Sequence, residues 1–135
     1  MTVSSQVSDG TTTASSVDLL LPRGGGGVLA AQCPSRVVLD HVTSKWGVLV
    51  LVALSRGTLR WGELRRVVEG ISEKMLAQTL RTLERDGIVL REASPTIPPR
   101  VDYSLTDRGR ELTERLLPLM DWVLANADEI LADQG

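Results

Sequence analysis

Four of five residues spaced along positions 74–85 have side chains suited to hydrogen-bonding with base edges and phosphates. Lys74, Ala77, Gln78, Arg81 and Arg85 recur at spacings of three and four, which places them along one face of a helix. Arginine presents a planar fork of donors that fits guanine O6 and N7. Glutamine pairs with adenine, and lysine meets phosphate as a point charge. The small Ala77 would let the helix backbone come close to the bases. On the opposite face Leu76, Leu80 and Leu83 make an apolar stripe fit for a core. Taken alone, such a polar face is most often merely solvated. The segment that follows decides between the two readings.

The spacing predicts a helix over residues 72–86, with Ser72 as N-cap, Glu73 favourable to the dipole and Gly87 as the stop. Two strand-like runs follow, residues 88–92 and 100–105, with a proline-rich tip between them, and another helix starts near Thr106. A helix with an open Arg/Gln face leading straight into a hairpin is the sequence form of a winged helix-turn-helix. The expected fold class is mainly α with a small β-wing, flanked by dimerisation helices. Ser72, Lys74, Ala77, Gln78, Arg81 and Arg85, with Arg100 in the wing, form the expected DNA-binding set.

The elements before the reading helix fit this fold. Pro34 suits the first position of a helix. Val37, Val38 and Val42, then, after a break near Ser44, Trp46, Leu49, Val50 and Leu54 recur at helical spacing. The second of these helices is apolar nearly all round and is expected at the buried centre. Gly57 ends it. Leu59 and Arg60 can pair with the wing. Residues 61–68 make the next helix, with Leu64, Val67 and Val68 inward and Arg65 and Arg66 outward, and Gly70 turns the chain.

Charge is unevenly spread. The net charge of −2 hides an excess of +4 over residues 36–110 and of −5 over residues 111–135. A modest basic excess implies binding through a few placed arginines and dimerisation rather than through a broad basic surface. Leu112, Leu116, Leu119, Met120, Val123 and Ala127 form a stripe on the last helix, which Pro118 should kink. One small winged module cannot cover so long a stripe, so it is expected to pair with the same helix of a second chain. The expected organisation is therefore a mobile arm over residues 1–32, a winged helix-turn-helix over 33–110 and a dimerisation helix over 111–135. The Ser/Thr/Gly-rich arm includes Gly24–Gly27 and a short apolar patch at 17–21. Val28 after the glycine run is a candidate alternative start.

Cys33 is the only cysteine, which excludes an internal disulfide and a multi-cysteine zinc site. It lies at the N-cap or just outside it, where free N–H groups and nearby Arg36 favour a thiolate, the reactive form. It reads either as a redox or electrophile sensor or as a small inert packing residue. His41 is the only histidine, on a mostly apolar helix, and points to a core or interface role. The glycine run lacks a following Lys-Ser/Thr, and no nucleophile–His–Asp set forms convincingly, so neither enzyme nor cofactor is expected. No eighteen-residue apolar run and no secretory signal is present, which leads to the expectation of a cytoplasmic protein without membrane contact.

With these residues in hand, the segment from Cys33 to Leu112 closely resembles the HxlR-type (DUF24) transcriptional regulators, a MarR-like branch of the winged helix proteins. Cys33-Pro34, Lys45-Trp46, Arg60 through Arg66, Gly70 through Leu76, Leu80 through Gly87 and Pro98 through Thr106 carry the likeness. Trp61 stands where the family commonly has Phe, and the arm before Cys33 is long. The resemblance implies bacterial homodimers bound to palindromic operators in double-stranded DNA. It also implies, at the position of Cys33, a thiol that in several members senses quinones, aldehydes or oxidants. The alternatives are the same regulator with a noncovalent effector and an inert cysteine, or a winged-helix module used for protein–protein contact.

Overall fold

The structure is a computed structural model that describes Val17, Leu20 and residues 23–134. Most of the expected mobile arm, including most of the 17–21 patch, lies outside the described residues. The chain divides into two units, Met1–Asp40 and His41–Gly135.

In the first unit a 3-10 turn spans Gly27–Leu29. The Arg36 guanidinium donates to the Leu29 carbonyl at 3.0 Å and more weakly to that of Val28 at 3.5 Å. Helix α1 (Pro34–Thr43) starts at the expected proline. Its Val37, Val38 and Leu39 stand exposed.

The second unit holds the core. Helix α2 (Lys45–Leu54) is capped by Ser44, whose hydroxyl accepts from the Gly47 amide at 3.1 Å. Its buried Val50, Leu51 and Leu54 make it the centre of the core, as its all-round apolar sequence predicts. Gly47 has to be glycine, since a Cβ there would meet the His41 carbonyl oxygen at 2.6 Å.

Strand β1 (Leu59–Arg60) leads into helix α3 (Trp61–Val67), and the Arg60 amide donates to Glu63 at 2.9 Å. This capping bond gives Glu63 a structural role. Helix α3 is one residue shorter than expected. Val68 leaves it with non-helical dihedrals and enters the core, so helical spacing no longer governs Val67, which is 59% exposed instead of inward.

Helix α4 (Glu73–Arg85) ends in a Schellman stop. The Ile88 amide donates to the Leu83 carbonyl at 2.9 Å, and that of Gly87 donates to Glu84 at 3.0 Å. Leu83 and Ile88, the apolar pair of this motif, both lie in the core. Because Ile88 closes the stop, strand β2 (Val89–Ser94) begins one residue later than expected. It returns as β3 (Arg100–Leu105), giving a three-stranded antiparallel sheet in the order β1-β3-β2. The register pairs Leu59 with Tyr103 and Arg91 with Tyr103. The result is a mainly helical winged helix-turn-helix.

Helix α5 (Asp107–Gln134) begins where expected, directly after Thr106, and runs on through Pro118. Thr106 caps it, accepting from the Gly109 amide at 3.0 Å. Gly109 lets the helix pass beside Ile88, whose carbonyl oxygen a Cβ would meet at 2.1 Å. The expected dimerisation stripe therefore splits. Leu116, 7% exposed, is closed off by this chain's own core and half-buried Leu112 packs against it, because the first turns of α5 cross α2 and β3. Leu119 and Val123 are exposed, and Met120 and Ala127 are partly covered.

Candidate nucleic-acid interface

The turn from α3 to α4 sets the reading helix. Gly70 takes a φ of +89° that other residues rarely adopt, and Ser72 accepts the Met75 amide at 3.0 Å to start α4. Arg65 of α3 pairs with Glu73 at 3.5 Å across the turn, on the surface. Leu76, Leu80 and Leu83 are buried, which turns Lys74, Gln78, Arg81 and Arg85 to solvent on one face, with Ala77 half-buried beside them. The core fixes one side of this helix and so determines which side is free.

A groove of about 580 Å³ runs between α4 and the sheet, lined by Ala77, Leu80, Arg81, Glu84, Arg85, Arg91 and Tyr103. Three guanidinium groups border it. Among the described residues Lys74, Arg81, Arg85 and Arg91 have no carboxylate within ion-pair distance, so their charge is left for an external anion. Arg91 was not found by reading the helix face. The signal lay in the strand period: Val89 enters the core, and two residues on a strand return to the same face.

Arg100 stands apart from this groove. Its Nε donates to Asp102 Oδ1 at 3.1 Å, and Arg60 approaches the same oxygen at 4.0 Å. Together with Trp61 and the tip residues 96–99 they line a second groove of about 520 Å³ on the wing. The structure thus gathers Arg81, Arg85 and Ala77 with Arg91 and leaves Arg100 on a separate surface.

Cys33, in the other unit, is half-buried. A hydrogen bond from the Ser35 side chain, reinforced by the Ser35 amide, holds its thiol below the ordinary thiol range. Desolvation opposes this slightly, and the Arg36 amide and charge help it.

Comparison with known proteins agrees with this geometry. The family model described as HxlR-like helix-turn-helix matches residues 41–130. The chain is similar to the uncharacterized HTH-type transcriptional regulator YtfH of Escherichia coli K12, at 55% identity over 107 residues, covering 79% of this chain and 85% of that one. It also resembles the solved ytfH regulator of Salmonella typhimurium, with a TM-score of 0.76 and 51% identity, covering 82% of this chain and 98% of that one. The redox regulator HypR in its oxidized form gives a TM-score of 0.65 at 39% identity, over 70% of this chain and 97% of that one. An open Arg/Gln face on the second helix of a helix-turn-helix, a wing beside it and these likenesses lead to one conclusion: the chain belongs to the HxlR-like helix-turn-helix family and is a DNA-binding transcriptional regulator, not an enzyme.

Proposed function

We propose that this regulator binds an inverted-repeat operator as a homodimer and that chemical modification of Cys33 changes that binding. The observation that carries the DNA part is the cluster of unpaired guanidiniums on and beside α4. Arg81 and Gln78 read base edges in the major groove, Lys74 and Arg85 hold phosphates, and the α4 amino terminus at Ser72 faces the backbone. Arg100 touches the backbone from the wing. The exposed apolar face of α5 supports dimerisation: Leu119 is 52% exposed and Trp122, three residues further along the same face, 58%. A two-fold dimer would set its reading helices about 34 Å apart, one turn of DNA.

The lowered pKa of the Cys33 thiol supports the sensor, as does the similarity to a protein described as a redox regulator. With one cysteine per chain, an oxidant such as diamide takes two electrons and two protons from a pair of thiols. The product is a disulfide between chains or with a small thiol. A quinone instead adds to the thiolate, which forms a carbon–sulfur bond.

In vitro selection from randomised duplexes, followed by footprinting, should recover an inverted repeat bound with steep salt dependence. Diamide should shift binding of the wild-type chain and leave Cys33→Ser unaffected. Equal responses from both proteins would mean that the effector acts elsewhere.

A further inference from the structure

The C-terminal turn of the reading helix is tied down from two sides. His41, on the last turn of α1, donates from Nδ1 to Asp86 Oδ2 at 2.8 Å, across 45 residues of sequence. The donor must be the ring, since a carboxylate oxygen only accepts. Asp86 is the C-cap of α4. From the other side, Arg108 in the first turn of α5 donates to the Asp86 backbone carbonyl at 3.2 Å, and Thr106 donates to the Gly87 carbonyl at 2.6 Å.

Arg108 also lies against Gly87, 3.1 Å from where a Cβ would stand. Both the His41 ring and the Asp86 carboxyl are largely shielded, with 26% and 18% of their side chains exposed. None of these bonds is needed to form α4, whose stop is completed by its own backbone and by Leu83 and Ile88. They add a connection from the reading helix to its neighbours, one of which, α5, carries the exposed apolar face at its far end.

We infer that Arg108, from α5, and His41, from the end of α1, are positioning residues that hold the C-terminal turn of the reading helix at a fixed pitch, and so set the half-site spacing the dimer accepts. The leverage is geometric. A helix pinned only by its apolar face can rock along that face, and small rotations at a turn move its far end most. With the Asp86 turn held on both sides, rocking is suppressed and one spacing is selected. Released, each head adapts to its own half-site. This inference rests on the inverted-repeat dimer proposed above.

The test uses the full chain and the DNA recovered by selection, rebuilt with spacers lengthened or shortened by one and two base pairs, and a duplex carrying a single half-site. The proteins are the wild type, His41→Ala, His41→Asn, which keeps an N–H donor near the Nδ1 position, and Arg108→Ala. The wild type should lose at least about tenfold in affinity on a one-base-pair change of spacer. His41→Ala and Arg108→Ala should flatten that profile to within about threefold, bind the single half-site like wild type, and sediment as dimers. His41→Asn should restore the wild-type profile.

A His41→Ala protein that keeps the full spacing penalty overturns the inference. So does one that weakens the half-site and every spacer equally, since that is general destabilisation. A wild type that sediments as a monomer, or selects a single half-site, overturns the dimer reading itself and is recognised by that separate readout. If His41→Ala does not fold, Arg108→Ala and His41→Asn decide by the same profile, because Arg108 reaches the turn independently of the ring.

Discussion

Leu76, Leu80 and Leu83 of α4 are shut inside the chain's own core, whereas Leu119, Trp122 and Val123 of α5 stand in water. Both helices carry apolar residues at helical spacing, so the pattern alone does not separate them. What differs is what lies opposite. Helix α4 packs on α2 and β2, which cover its stripe completely. Helix α5 does the same only over its first turns, where Leu116 reaches the core, and then outruns the domain. A stripe closed by its own chain contributes to folding. A stripe left open contributes to association, and the two should respond to mutation through different measurements.

The largest effect is expected at the open stripe. Replacing Leu119 and Val123 together with aspartate should give a folded monomer in sedimentation. Operator affinity should fall by about 10²–10⁴, the avidity lost when two linked half-sites become independent. A doubly substituted chain that stays dimeric with full affinity would place the interface elsewhere and remove the difference between the open and the closed stripe.

The closed stripe should answer in stability. Leu80→Ala leaves a cavity in a packed core and should cost about 2–5 kcal/mol in chemical denaturation. Compared at one protein concentration, Trp122→Ala in the monomeric background should stay within about 0.5 kcal/mol of its parent. Similar losses at both positions would mean that the far half of α5 folds back on its own domain in solution.

How much of this was visible in the sequence depends on the range of the forces involved. Helix α4 was legible to its caps, because Ser72, the leucine spacing and Gly87 are local signals that agree. The wing was legible for the same reason, to within two residues at the ends of β2. Val67 was misplaced because the end of α3 is decided by Val68 turning into the core, a tertiary event. The division of the α5 stripe at Leu116 depends on how far the domain reaches, which no helical period encodes. Arg91 and the His41–Asp86 bond join residues far apart in the chain, and only the fold brings them together.

The two grooves allow a finer version of the comparison. Arg81→Ala should relax base preference at one position of each half-site and cost about 1–3 kcal/mol there, measured across a panel of single-base operator variants. Arg91→Ala and Arg100→Ala should weaken all sequences alike and reduce the slope of log affinity against log salt by about one per head. If Arg91→Ala changed base preference while Arg81→Ala did not, reading would belong to the strand side of the groove and not to the helix.

The smallest effect is expected at Cys33, and it separates a tuned thiol from an ordinary one. The Ser35 hydroxyl is the first cause of the lowered pKa, ahead of the Arg36 charge. Removing it in Ser35→Ala should move the pH profile of iodoacetamide alkylation toward higher pH and slow the reaction at neutral pH, with far-ultraviolet circular dichroism unchanged. Unfolding the chain in urea should move the profile the same way. Linkage then gives the sign for stability. A group whose folded pKa is depressed stabilises the fold above its unfolded pKa, and that contribution is lost as pH falls through the folded value. At so accessible a site the stability term is small, and the alkylation rate is the sensitive readout. A profile identical in Ser35→Ala, in wild type and in the unfolded chain would leave Cys33 with the reactivity of any surface cysteine, and the sensor reading would lose its chemical basis.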